Sequence, residues 1–272
     1  MRAAAVQLNA TADRGRNLGS AERLVREAAD DGATLVVLPE HFDLRGRDED
    51  YLRDAEPLDG PTMTRVRDLA RELGIDLVAG SFAERRVGHE KPSNTSVHIG
   101  PDGEIEAVYR KIHLFDVTVG DVDYRESASG EAGDSPVTSN EIGLTVCYDL
   151  RFPELYRILA LRGALVVTIP ANFTRVTGAA HWEVLLRARA IEDQLFVVAP
   201  AQAGEFPPGM PTYGNSLIAD PWGEVLARAG DEGEQFVAAE LDFDRLREVR
   251  EQLPSLANRV PGAYRWPQEV NA

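Results

Sequence analysis

The sequence predicts an α/β domain in which a mixed sheet, or two sheets, is covered by helices. Three observations carry that expectation. Short apolar runs of strand type alternate with segments of helical period along the chain. No linker, internal repeat or low-complexity tract divides it, so one domain over 1–272 is expected. Its 272 residues suffice to bury on the order of 70–75% of the unfolded surface without a disulfide or metal staple.

Taken in order, residues 3–8 read as a strand. A helix is expected over 20–30, with Ala21, Leu24, Val25 and Ala28 on one face and Ser20 as its N-cap. The apolar run 34–38 is a buried strand closed by Pro39. Residues 62–73 place Met63, Val66, Leu69, Ala70 and Leu73 at helical spacing and stop at Gly74, and 75–82 follows as a strand. Segments 94–99 and 104–109 flank Gly100-Pro101-Asp102-Gly103, a hairpin turn. The acidic, aperiodic stretch 116–134 is expected as a loop, and loops of that length are often functional. A strand at 142–146 precedes a helix over 152–161, with Pro153 in its first turn. Strand, helix and strand then repeat at 164–169, 180–193 and 195–199. A meander ends the domain: 215–219, the turn Asp220-Pro221-Trp222-Gly223, 225–227 and 236–241. A helix over 243–252 and a C-terminal arm over 254–272 complete the expectation.

Charge narrows the partners. With 29 basic and 45 acidic residues the net charge is −16, a field that repels phosphate backbones and anionic membranes. Nucleic acid and membrane are therefore not expected partners. Two of the basic residues, Lys91 and Lys111, are lysines and the other 27 are arginines. An acid-rich, lysine-poor surface suits a cytoplasm of concentrated salt, and so a halophile; genomic base composition is the other source of such an arginine bias. The chain shows no signal-peptide core and no apolar run of membrane-spanning length, so a soluble cytoplasmic protein is expected. One cysteine, Cys147, allows no intrachain disulfide and no cysteine zinc site. The five histidines are scattered without metal-ligand spacing, and no glycine-rich phosphate loop follows a strand, so neither metal nor cofactor is expected.

Ligand sites in α/β folds lie beyond the carboxyl ends of strands. Three reactive side chains leave strands there: Glu40, Lys111 and Cys147. Cys147 precedes a helix start, where the positive dipole end favours thiolate and the Tyr148 N–H is placed to hold an oxyanion. A buried small hydrophobe is the plainer reading of the same cysteine. Glu40, buried at a strand mouth, is expected to have a raised pKa and to serve as general base and acid; a surface salt bridge is its alternative. Lys111 is a lysine kept where the chain otherwise writes arginine, and a compact ammonium suits a developing oxyanion. A cysteine–histidine pair using His41, His113 or His181 stays open.

The motifs Leu38-Pro-Glu40, Tyr109-Arg-Lys-Ile-His-Leu-Phe-Asp116 and Val146-Cys-Tyr-Asp-Leu-Arg-Phe-Pro-Glu-Leu-Tyr156 resemble, in order, those of the carbon–nitrogen hydrolase (nitrilase) superfamily. The likeness runs from Ala5 to the 220–226 turn, and residues 180–192 point to the Nit-type amidases, a branch that includes omega-amidase and the amidase of deaminated glutathione. It implies a four-layer αββα sandwich forming dimers through helices 152–161 and 180–193, with the arm reaching the partner. By resemblance Cys147 is the nucleophile, Glu40 the base and acid, Lys111 the cationic stabiliser and Glu126 the residue that orients Lys111. No cofactor is implied. Tyr148-Asp149 after the cysteine, where true nitrilases usually carry Trp-Glu, implies an amide rather than a nitrile. Asn172, Phe173 and Thr174 are expected near the substrate, and Arg175, Arg125 or Arg151 is expected to meet a substrate carboxylate. The implied activity is hydrolysis of a small carboxylated amide through a cysteine thioester, releasing ammonia. A nitrilase, or a catalytically silent dimeric scaffold marked by loss of one of the three groups, are the alternatives; all three groups are present. Thiol redox chemistry lacks a resolving cysteine.

Overall fold

The computed structural model describes residues 1–120 and 122–264. The first half runs β1 (Arg2–Gln7), α1 (Arg14–Asp30), β2 (Leu35–Val37), α2 (Asp48–Asp54), α3 (Pro61–Leu73), β3 (Asp76–Val78), β4 (Phe82–Glu84), β5 (Ser93–Ile99) and β6 (Ile105–Arg110). A ribbon of β7 (Asp116–Val119) and β8 (Val122–Arg125) leads into the single turn α4 (Glu126–Ser129). The second half runs β9 (Val137–Ser139), β10 (Ile142–Leu144), α5 (Pro153–Leu161), β11 (Val166–Thr168), α6 (Arg175–Asp193), β12 (Phe196–Ala199), β13 (Leu217–Ala219), β14 (Val225–Arg228), β15 (Gln235–Glu240) and α7 (Phe243–Gln252).

Two sheets form, each on three parallel strands, β1-β2-β3 in one and β10-β11-β12 in the other, with antiparallel strands outside them; β15 returns from the second half to pair with β1. The period-2 alternation of β1 shows how the layers stack. Ala4 and Val6 join Leu24, Val25, Met63 and Val66 in the core beneath α1 and α3. Ala3 and Ala5 face the other way, into the core shared with Leu144, Val167 and Val198 of the second sheet. Leu155, Leu159, Trp182 and Leu186 close that core from α5 and α6. The result is the expected αββα sandwich. Among the described residues no helix is long and apolar enough to cross a membrane.

Several boundaries differ from those expected, each for a local reason. Helix α1 starts at Arg14 rather than near residue 20, because the Asp13 side chain accepts from the Arg16 N–H and caps it there. Ser20 lies inside the helix. The strand expected over 75–82 is broken into β3 and β4 at Gly80, whose positive φ of 29° and close approach to the Pro39 carbonyl leave no room for a Cβ. The stretch 116–134 is not one loop: it forms the β7–β8 ribbon and α4. Helix α6 gains a turn because Thr174 caps it through the Thr177 N–H. Helix α2 was not foreseen. Of the expected arm, residues 254–264 contain a 3₁₀ turn at Pro261–Ala263, and residues 265–272 lie outside the described residues.

Candidate active site

The three expected groups meet at the carboxyl ends of β2, β6 and β10. Glu40 follows β2 through Pro39, Lys111 directly follows β6, and Cys147 opens a 3₁₀ turn, Cys147–Arg151, after β10. All are buried, at 3%, 2% and 7% exposure. Cys147 holds a left-handed φ of 49°, a costly backbone state for a side chain with a Cβ. Its N–H is anchored on the Pro170 carbonyl at 2.8 Å. The next amide, that of Tyr148, meets no acceptor among the described residues.

Lys111 links two carboxylates. Its Nζ donates to Glu40 Oε1 at 3.0 Å and to Glu126 Oε2 at 2.8 Å. Asn94 Nδ2 repeats the span, donating to Glu40 Oε1 at 2.9 Å and to Glu126 Oε1 at 3.0 Å. The Phe115 N–H adds a bond to Glu126 Oε2 at 2.7 Å. Asn94 was missed in the sequence; its signal was the polar run Ser93-Asn94-Thr95-Ser96 inside a fully buried strand, a costly placement unless those groups are used. Ligand atoms of Glu40, His41 and Glu126 lie within 4.8 Å of one another. The Lys111 ammonium already supplies the positive charge there, so the same oxygens would receive a metal only against its repulsion.

Two protonation states reverse the sequence expectation. Burial would raise the Glu40 carboxyl, but Lys111 foremost, with His41, holds it below the ordinary carboxylate range. Burial and then Glu40 push the Cys147 thiol well above its ordinary value, outweighing Lys111 and the Asn172 N–H. Burial would lower Lys111, yet Glu126 and Glu40 raise it well above the lysine range. The site therefore rests as carboxylate, ammonium and neutral thiol. The dipole of a five-residue turn does not make a resting thiolate against that burial.

A cavity of about 460 Å³ opens over this cluster. Glu126, Tyr148, Asn172, Phe173 and Thr174 line it together with Glu40, Lys111 and Cys147. Arg175 does not: its guanidinium points to Asp231, Nη1 to Oδ2 at 3.6 Å. Arg125 and Arg151 do line the cavity, and so do Arg45 and Arg47, which the sequence did not single out. Arg151 lies over the rings of Phe173 and Tyr148, 5.4 and 5.9 Å from their centroids. The segment 206–212 forms another wall, tied down by Arg45 through the Ala203 and Phe206 carbonyls at 3.2 and 2.6 Å. None of the three candidate histidines is hydrogen-bonded to the thiol. His41 stacks on Tyr51, His113 meets Asp149 and His181 meets Arg151.

A model of the carbon-nitrogen hydrolase family matches residues 2–251. Deaminated glutathione amidase of Bos taurus is 44% identical over 271 residues, spanning 96% of this chain and 82% of that protein. Human omega-amidase NIT2 is 39% identical over 268 residues, 97% of this chain and 96% of its own. The crystal structure of the C. elegans NitFhit protein superposes with a TM-score of 0.89 at 36% identity, covering 97% of this chain and 66% of that one.

Proposed function

The chain belongs to the carbon–nitrogen hydrolase family and hydrolyses non-peptide amides, and from that premise we propose that Cys147, Glu40, Lys111 and Glu126 cleave a small carboxylated amide through a cysteine thioester. One observation carries the reading: a buried ammonium held at 3.0 and 2.8 Å by two carboxylates, lining one cavity with the chain's single cysteine.

The resting charges give the order of events. Glu40, ionised, takes the thiol proton as the sulfur attacks the amide carbon, so thiolate forms only with substrate in place. The carbonyl oxygen gains negative charge beside Lys111 and the unpaired Tyr148 N–H, two donors fixed before the reaction starts. Glu40 passes its proton to the departing nitrogen, ammonia leaves and a thioester remains on Cys147. Water then enters and Glu40 takes its proton; the second oxyanion collapses to the carboxylic acid, and Glu40 returns the proton to the departing sulfur, restoring carboxylate and thiol. Glu126 keeps its hydrogen bond to Lys111 throughout, holding the ammonium aimed at the reacting carbonyl.

Substrates of the kinds in its relatives' names, a deaminated glutathione or an omega-amide, carry a carboxylate remote from the amide. Arg47, Arg125 and Arg151 along the cavity wall supply the matching charge. A homodimer in a salt-rich cytoplasm completes the reading. It is supported by Val176, Val184 and Ile191 on α6 and Ile158 and Leu161 on α5, apolar side chains left 39–72% exposed on an otherwise acidic surface.

Ammonia release from alpha-ketoglutaramate and deaminated glutathione, measured in high salt, tests this. Turnover is expected with at least one of them, and Cys147→Ala is expected to abolish it. Release that survives in Cys147→Ala removes the thioester mechanism.

A further inference from the structure

Asp149, two residues after the nucleophile, has no part in the chemistry above and is fully buried. Four donors converge on it. Oδ2 accepts from the Tyr109 hydroxyl at 2.7 Å and from the Val146 N–H at 2.8 Å. Oδ1 accepts from the His113 N–H at 3.2 Å and from His113 Nδ1 at 2.7 Å, with the imidazole the donor because a carboxylate only accepts. The His113 ring is held in turn by stacking on Phe152, at 3.6 Å between centroids and 7° between planes. The Tyr109 hydroxyl also accepts from the Ile112 N–H at 3.3 Å.

The positions of these donors matter more than their number. Tyr109, Ile112 and His113 bracket Lys111, whereas Val146 and Asp149 bracket Cys147. The backbone of the nucleophile turn is otherwise tied within the second half of the fold, Cys147 N–H to Pro170 and Leu150 carbonyl to the Arg189 guanidinium at 2.7 and 3.0 Å. Among the described residues, the hydrogen bonds that join this turn to the Lys111 segment are those of Asp149.

We propose that Asp149 is a positioning residue that clamps the Lys111 segment to the Cys147 turn and so sets the distance between ammonium and sulfur. This rests on the reading of Cys147 as nucleophile and Lys111 as oxyanion stabiliser. Charge-assisted bonds at 2.7–2.8 Å are the stiffest link available between two loops. Positional errors of about an ångström cost on the order of a hundredfold in rate when reacting groups are otherwise intact.

Asp149→Asn keeps the side-chain shape but exchanges one acceptor oxygen for a donor amide, so it faces some of its four partners with the wrong sign. Tyr109→Phe removes one of the four bonds to Asp149, with the bond from the Ile112 N–H, and leaves all charges. Two readouts apply to the whole protein: steady-state ammonia release, and alkylation of Cys147 by iodoacetamide, unambiguous because the chain has one cysteine. For Asp149→Asn, kcat is expected to fall about a hundredfold with KM within threefold. Alkylation is expected to slow about tenfold, and Tyr109→Phe to move both in the same direction by less. Mere loosening of the fold would expose the buried thiol and speed alkylation, so the sign separates positioning from damage. Should Asp149→Asn not fold, Tyr109→Phe carries the test alone. Unchanged or faster alkylation with kcat retained in the folded variants overturns the clamp. If Cys147→Ala also turns over substrate, the reading of the site has failed instead, so the two failures are distinguishable.

Discussion

The Lys111 ammonium decides what its neighbours are at rest. Without it, burial alone would drive the Glu40 carboxyl up, and the base would be protonated where it is needed. This has a pH consequence with a definite sign. Glu40 held below its ordinary value stays ionised through the usual carboxylate range, so the acid limb of kcat/KM is expected below pH 4.3, roughly the unperturbed glutamate value. In Lys111→Met the residual activity is expected to have its acid limb shifted upward, because the largest opposition to desolvation is then gone. An acid limb unmoved by that substitution would show that another group sets it. Stability follows the same sign: a depressed carboxyl stabilises the fold above its unfolded pKa, and that contribution is lost as pH falls through the folded value. The identities of Glu40, Lys111 and Cys147 were legible because each is an odd residue at a strand mouth. Their charge states were not, because the bond that fixes them joins positions 40 and 111, 71 residues apart.

At the scale of elements, the break between β3 and β4 belongs to the site as much as to the sheet. Gly80 lies against the Leu38 and Pro39 carbonyls that deliver Glu40. Gly80→Ala would put a Cβ into that backbone at a positive φ, and a loss of about 2–4 kcal/mol is expected from strain and overpacking together. Differential scanning calorimetry and kcat measured on the folded fraction would check it, with kcat falling as well as Tm. A variant with wild-type Tm would mean that the loop relaxes freely. The sequence offered an unbroken run at 75–82 and so hid this contact, which is made between segments some forty residues apart. The β7–β8 ribbon was hidden differently. Val117, Val119, Val122 and Tyr124 alternate around Gly120-Asp121, a hairpin signal, but the acidic residues between them read as a loop. Parallel strands and their helices were legible throughout, because burial on both faces leaves continuous apolar runs that no polar neighbour disguises.

For the whole molecule, a charge of −16 is a load that salt relieves, since the Debye length shrinks from about 10 Å at 0.1 M to about 3 Å at 1 M. Thermal stability is expected to rise between about 0.1 and 2 M KCl, and sedimentation in high salt to give twice the chain mass. Equal Tm in both buffers would remove the halophilic reading, and a single-chain mass in high salt would remove the dimer. Neither property was legible from the fold, since surface acids do not specify packing and a partner leaves only an uncovered apolar stripe. The neutral, deeply set thiol bears on chemistry other than hydrolysis. Peroxide attacks thiolates, and Cys147, although it lines the cavity, is held as the less reactive thiol by the upward shift of its pKa. With no second cysteine to capture a sulfenic acid as a disulfide, any oxidation that did occur would run on towards the irreversible acids. Withholding the thiolate until substrate arrives therefore also preserves the nucleophile between turnovers, in a protein with no internal means of repairing it.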